Sequence, residues 1–210
     1  MKNNNSIPFE QREELLLIKK SKNGDTAAFE RLVEPYSKRI YNIGLKMLNS
    51  REDAADMAQE VLLKIYRNLD RFRGEAAFST WVYRISVNTC RDILRSSYRQ
   101  HEHLFTDFGE ESEQTEFEVA DYSAMPEKLY EDKECADYLL ALIQGLTPKY
   151  RIVMVLREVS GLSYQEIAAA VNISVGTVKS RLNRARASMR ERAMADTEHN
   201  PYLARLINSQ

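Results

Sequence analysis

The sequence has 210 residues, enough for one large domain or two small ones. Its 43% hydrophobic and 29% charged residues suit a globular protein, and its 7 glycines and 5 prolines are too few to punctuate a many-stranded sheet. The net charge is +5 over residues 1–100, −10 over residues 101–134 and +4 over residues 135–210. This asymmetry indicates a nucleic-acid partner, although a solvated acidic linker between ordinary domains fits the charges equally well.

No apolar run approaches the ~18 residues of a membrane span, and the first residues lead into no signal-peptide core. Cys90 and Cys135 each lie in a helical pattern without a pairing or redox motif, so reduced, packed thiols are expected. These features predict a cytoplasmic protein without membrane insertion. His101 and His103 have no further ligands nearby, and no phosphate-binding loop or catalytic motif is present. We therefore predict no enzyme activity, metal, cofactor or small-molecule substrate.

Apolar residues at helical spacing predict four helices in the first hundred residues. The first covers about residues 10–22, and Gly24 suits the left-handed position after its end. Asp25 is expected to cap the second helix. Pro35 lies inside this second helix and should bend or locally loosen it, because proline removes a backbone donor.

A break at Asn49-Ser50 separates the second helix from the third. A loop is expected over residues 70–77. The fourth helix is predicted from Trp81 to about Tyr98, with Ser79 or Thr80 at its start.

The helical periodicity disappears in the acidic segment and resumes after Pro126, and Thr147-Pro148 is expected to begin a further helix. The predicted fold is all-α, with two small helical domains at residues 10–100 and 126–195. A flexible acidic linker, residues 101–125, is expected to join them.

The segment 161–186 carries the most specific local signals. Ser163 and Glu166 have the spacing of a capping box, which begins a short helix. Asn172 follows where a tight turn needs a positive φ, and Ser174 can cap the next helix. This pattern predicts a helix-turn-helix, whose second helix fits the DNA major groove.

The second helix of this motif is cationic on its exposed side. Arginine and lysine can donate to guanine, and asparagine can pair with adenine. Flanking arginines, among them Arg190, would neutralise phosphates. The alternative is a solvated basic helix without a ligand. The predicted DNA-binding residues are Thr177, Lys179, Ser180, Arg181, Asn183, Arg184 and Arg186.

The N-terminal half adds a second motif. Residues 53–61, 70–74 and 78–85, together with Asn88, resemble the second conserved region of bacterial RNA polymerase sigma factors, and residues 161–186 resemble the fourth. With only a short acidic linker between them, the chain resembles the extracytoplasmic-function (ECF) group over about residues 10–195. The resemblance implies binding to core RNA polymerase, recognition of the −35 and −10 promoter elements, assistance in promoter melting, and an anti-sigma partner.

Site residues follow from the same resemblance. The third helix would dock on the polymerase clamp through an acidic-polar face, unless that face is merely solvated. Its predicted polymerase-binding residues are Asp53, Asp56, Gln59 and Glu60.

The loop and the fourth helix would bind the −10 element and hold a flipped base, since aromatics beside arginines suit single-stranded DNA. The predicted residues are Arg71, Phe72, Arg73, Phe78, Trp81, Arg84, Asn88, Arg91 and Arg95. The three aromatics could equally belong to the core, Trp81 most of all.

Two positions depart from the family pattern, since Leu62 replaces a frequent aromatic and Asn172 a frequent glycine. Two other functions fit parts of the sequence. A stand-alone helix-turn-helix regulator would have no need of the aromatic-arginine segment 70–81. A protein–protein adaptor would have no need of the capped cationic helix at residues 174–186.

Overall fold

The computed structural model describes residues 9–100 and 137–199, and all regular elements in these ranges are helices. The chain divides into two compact units, residues 1–96 and 97–210, and each is described by itself. The prediction of two helical units is confirmed. The expected linker, Cys135 and the pair His101 and His103 lie outside the described residues. No helix in the described ranges is long and apolar enough to cross a membrane.

The N-terminal unit contains four α-helices and one short turn of 3-10 helix. These elements are α1 (Phe9–Lys22), α2 (Thr26–Leu48), α3 (Arg51–Asn68), the 3-10 turn (Leu69–Arg71) and α4 (Phe78–Gln100). The predicted cap at Asp25 is present, whereas Ser79 and Thr80 lie inside α4 and do not begin it. The Asp25 carboxylate accepts from the Ala28 N–H at 2.9 Å, and Asn49 ends α2 with a φ of 56°. Such caps satisfy backbone groups that a helix end leaves without partners.

The core of this unit lies where α2 and α3 pack together, with α4 completing it. Gly44 allows the close approach of α2 and α3, because a Cβ there would lie 3.1 Å from the Met57 Cε atom. Cys90 on α4 contacts the Met57 sulfur at 2.9 Å and is fully buried. Burial raises the pKa of the Cys90 thiol to about 12, which agrees with the predicted packing role.

Pro35 lies inside α2, as expected, whereas the start of α4 differs from the expectation. The helix α2 continues through Pro35. Because Pro35 and Arg31 are both exposed, water can reach the carbonyl that loses its donor. Helix α4 begins at Phe78, three residues before the predicted start, and the Ala77 carbonyl accepts from the Trp81 N–H at 3.2 Å. The burial of Phe78 fixes this earlier start.

The C-terminal unit contains the remaining helices. They are α5 (residues 137–144), α6 (Pro148–Met154), α7 (Tyr164–Val171) and α8 (Val175–His199). A turn of π-helix, Val155–Val159, continues α6. Five consecutive residues, 152–156, are buried, so this part of the chain is covered on more than one face. In the π turn, the Ser160 N–H donates to the Val155 carbonyl at 3.2 Å, which is a step of five residues.

The helix-turn-helix is formed by α7 and α8, and its predicted caps are confirmed. The Ser163 N–H donates to the Glu166 carboxylate at 2.8 Å, and the Glu166 N–H donates to the Ser163 hydroxyl at 3.3 Å. Asn172 has the expected left-handed conformation, with a φ of 59°. The Ser174 hydroxyl accepts from the Thr177 N–H at 3.0 Å and so caps α8.

Candidate functional site

An open cleft of about 670 Å³ lies beside the start of α4 in the N-terminal unit. Its wall is the segment from the 3-10 turn to Ala76, and Trp81 and Arg84 complete it from α4. Gly74 gives the wall its bend with a φ of 74°, which is strained for a residue with a Cβ. The cleft thus brings together Arg71, Arg73, Trp81 and Arg84, four of the residues predicted to bind the −10 element.

Two of the aromatics predicted to contact DNA, Phe72 and Phe78, anchor the ends of the cleft wall. Phe78 is 1% exposed and Phe72 is 9% exposed, and their ring centroids are 5.4 Å apart in an edge-to-face arrangement. Both ends of the exposed segment 73–77 are therefore tied to the core. Trp81 was the aromatic expected in the core, yet it is only half-buried and lines the cleft. The burial of Phe72 and Phe78 favours a packing role for both rings, although Phe72 also lines the cleft.

A polar and cationic stripe runs along α4 from the cleft. Its residues follow the helical repeat of three and four, so that they project on one side. Arg84, Asn88 and Arg95 are exposed, whereas Trp81 and Arg91 are half-buried. At ~1.5 Å per residue the stripe is about 21 Å long. This line of donors suits the backbone of an extended single strand.

The exposed face of α8 has a polar centre and two cationic flanks. Val178, Leu182 and Ala185 are fully buried and hold the helix against its unit. Ser180 and Asn183 point in the opposite direction. The remaining predicted DNA-binding residues lie on the flanks, with Lys179 and Arg186 on one side and Thr177, Arg181 and Arg184 on the other.

Contacts with neighbouring helices orient two of these arginines. A hydrogen bond to Tyr150 of α6 raises the pKa of the Arg184 guanidinium. Arg186 forms an ion pair with Glu158 at 3.0 Å, on the other side of α8. Lys179 and Arg184, which the sequence placed on one stripe, therefore lie on opposite flanks, because five residues turn an α-helix by about 140°.

The outer face of α3 carries the predicted polymerase-binding residues. Asp53, Asp56, Gln59 and Glu60 are all exposed, and Glu60 pairs with Lys64 at 2.7 Å. Sequence reasoning missed Leu63 on this face, which is 52% exposed. Its helical spacing from Asp56 and Gln59, seven and four residues, was the available signal. A single exposed leucine is common on protein surfaces, so Leu63 adds an apolar position to this face without by itself indicating a partner.

Family models match both units of the chain. The family described as "Sigma-70 region 2" matches residues 32–100, and "Sigma-70, region 4" matches residues 136–189. The ECF RNA polymerase sigma-E factor of Escherichia coli (strain K12) is 36% identical over 177 residues, which cover 84% of this chain and 92% of that protein. The RNA polymerase sigma-H factor of Pseudomonas aeruginosa is 35% identical over 180 residues, covering 84% and 91%.

Solved structures match the fold. CnrH in complex with the cytosolic domain of CnrY has a TM-score of 0.64 at 23% identity, covering 88% of this chain and 99% of that one. The sigma factor RpoE in complex with the anti-sigma factor NepR from Bartonella quintana has a TM-score of 0.57 at 22% identity, covering 78% and 94%. The region 2 match decides against a stand-alone helix-turn-helix regulator. The chain belongs to the ECF group of RNA polymerase sigma factors, which direct core RNA polymerase to promoters.

Proposed function

We propose that this sigma factor holds an unpaired base of the −10 element in the cleft beside α4. The observation that carries the proposal is the meeting of a half-buried tryptophan and three arginines around an open cavity of about 670 Å³. Trp81 offers a face for base stacking, and the arginines offer charge to the flanking phosphates. The α4 stripe would carry the adjoining single strand. Asn88 would donate to it with its side-chain amide, and Arg91 and Arg95 with their guanidinium groups.

The second part of the proposal concerns the −35 element. Ser180 and Asn183 would face the floor of the major groove, with Arg184 reaching a base edge from one flank. Lys179 would reach a base edge from the other flank, and Arg186 the phosphate backbone. Support comes from the polar centre between two cationic flanks, which matches a groove bordered by two phosphate strands. Thr177 and Arg181 lie at the rim, where they would position the helix.

The third part concerns core polymerase. The acidic face of α3 would dock on a basic, helical surface of the polymerase, and Leu63 would supply the apolar centre of the contact. Interfaces commonly combine a small apolar core with a polar rim. We propose that the protein acts in the cytoplasm, where core polymerase and the chromosome are found.

The docking proposal is tested with the variant Asp56→Lys/Glu60→Lys. We expect it to lose at least tenfold in affinity for core polymerase, because two attractive contacts become repulsive. The matched control is Glu30→Lys/Glu34→Lys on α2, which changes the net charge equally at two exposed positions outside the α3 face. Equal core affinities of the two variants would refute the assignment of the α3 face.

We also propose an anti-sigma partner that competes for the α3 face. Two solved structures of similar fold are complexes, RpoE with the anti-sigma factor NepR and CnrH with the cytosolic domain of CnrY. Leu63 would then contact core polymerase in one complex and the anti-sigma factor in the other. The test is purification of the tagged protein from its own cells, followed by addition of excess core polymerase. A co-purified protein that polymerase does not displace would contradict competition at this face.

A further inference from the structure

The last residue of α1 is bonded to the wall of the cleft, 50 residues further along the chain. The Lys22 ammonium donates to the Phe72 carbonyl at 2.7 Å and lies 3.4 Å from the Asp70 carbonyl. The Lys22 side chain is half-buried. None of the expectations from the sequence included Lys22 in a site.

These two carbonyls lie at the end of the 3-10 turn Leu69–Arg71. The last carbonyls of a helical turn have no partner within it, and a cation there satisfies them and the dipole of the turn. A hydrogen bond from an ammonium group is stronger than one between neutral groups. Lys22 therefore fixes the backbone at the point where the cleft wall begins.

Phe72 is also fixed through its side chain. Its ring contacts Phe78 and Trp81, with a centroid separation of 5.4 Å in each case. Its N–H donates to the Leu69 carbonyl at 3.0 Å. Because Lys22 holds its carbonyl, Phe72 has partners for its ring, its N–H and its carbonyl. The exposed residues 73–77 then form a short wall between two fixed ends, Phe72 and Phe78.

We propose that Lys22 is a positioning residue for promoter melting, which holds the 70–72 turn so that the cleft is already formed when the unpaired base arrives. This inference rests on the proposed role of the cleft. A preformed cavity lowers the entropic cost of binding the base, since the wall does not have to be immobilised when the base enters. Helix α1 thereby becomes a support for DNA opening through the two carbonyl groups near the Lys22 ammonium.

The experiment compares holoenzymes carrying Lys22→Met, Lys22→Arg and the control Lys20→Met. Lys20 is exposed on the same helix, so its replacement removes the same charge. Methionine keeps the length of the side chain without the donor. We expect Lys22→Met to slow the appearance of 2-aminopurine fluorescence in the −10 element roughly tenfold, the value of one charge-assisted hydrogen bond. Lys22→Arg and Lys20→Met should stay within about twofold of the parent.

Two further readouts separate positioning from other roles. Hydrogen exchange of the Lys22→Met protein should rise over residues 70–76 and stay unchanged in α2 and α3. Exchange that rises throughout the unit, or stays unchanged over residues 70–76, would overturn the proposal. The dependence of promoter binding on salt should be unchanged, whereas a lost phosphate contact would lower its slope by about one unit and overturn the proposal.

A parallel Trp81→Ala holoenzyme distinguishes a wrong role for Lys22 from a wrong role for the cleft. If Trp81→Ala melts the promoter poorly and Lys22→Met behaves as Lys20→Met does, the cleft is retained and the role of Lys22 is wrong. If Trp81→Ala melts the promoter normally, the cleft does not take the base and both proposals fail. The proposal stands if the Trp81→Ala and Lys22→Met holoenzymes both melt the promoter slowly and the Lys22→Arg holoenzyme melts it at about the rate of the parent.

Discussion

Phe78 and Trp81 lie three residues apart near the start of α4, yet their rings meet different surroundings. Phe78 is 1% exposed and contacts Tyr36 and Phe72 in edge-to-face arrangements. Trp81 contacts the same cluster with one side, and its ring centroid lies 5.7 Å from that of Phe78. Its other side lines the cleft. The difference favours a packing role for Phe78 and leaves one face of Trp81 for the proposed base contact, a choice that the sequence alone left open.

We predict opposite effects for alanine at these two positions. Phe78→Ala should lower the free energy of unfolding by about 3–5 kcal/mol, the usual cost of emptying a buried phenylalanine site. Trp81→Ala should cost clearly less stability and should impair promoter melting, while Trp81→Phe should retain part of it through stacking. Urea denaturation and permanganate reactivity of promoter thymines measure the two effects. A stable Phe78→Ala protein would contradict the packing assignment.

Arg184 and Arg190 provide the second contrast between single residues. Arg184→Ala should relax the preference at one base pair of the −35 element by roughly tenfold or more, because a base contact is lost. Arg190→Ala should leave the preferred sequence unchanged and lower the affinity for all promoters alike. Promoter selection at two salt concentrations distinguishes them. Uniform weakening by Arg184→Ala would mean that Lys179 or Asn183 carries the readout.

At the scale of elements, the short helix α7 depends on its ends. It has only eight residues, too few to form a stable helix by propensity alone. The capping box of Ser163 and Glu166 closes its first turn, and Asn172 ends it in a left-handed conformation. These caps set the angle at which α8 leaves the turn.

Removing the first cap should therefore weaken the whole motif. We predict that Ser163→Ala lowers the local free energy of opening by ~1 kcal/mol, the usual cost of losing an N-cap. Hydrogen exchange of the amides in α7 and α8 is the measurement. Gln165→Ala, at an exposed position of the same helix, should change the local free energy of opening by less than about 0.5 kcal/mol. Equal effects of the two substitutions would show that the cap contributes nothing.

The elements also show which features the sequence could predict. Caps and turn residues act within a few positions of one another, so Asp25, Ser163 and Asn172 were assigned correctly from local spacing. The start of α4 and the π turn after α6 depend on which side chains the rest of the unit buries, and no local pattern contains that information. Lys22 was missed for the same reason, since its partners are 48 and 50 residues away.

At the scale of the whole molecule, the proposed function uses both units. The N-terminal residues 1–100 carry a net charge of +5 and residues 135–210 carry +4, which favours two contacts with one DNA molecule. Neither surface alone defines a promoter, because the α8 face suits duplex DNA and the α4 cleft suits an unpaired strand. Core polymerase, bound through the α3 face, would hold the two contacts on one promoter.

Run-off transcription from a random promoter library with purified core polymerase tests this account most directly. Holoenzyme containing this protein should start RNA downstream of two sequence elements at a fixed spacing, and core polymerase alone should not. Trp81→Ala should reduce transcription from these promoters, and Arg184→Ala should change the selected upstream element. Sequence-specific binding to duplex DNA without core polymerase, together with no transcript in its presence, would contradict the account.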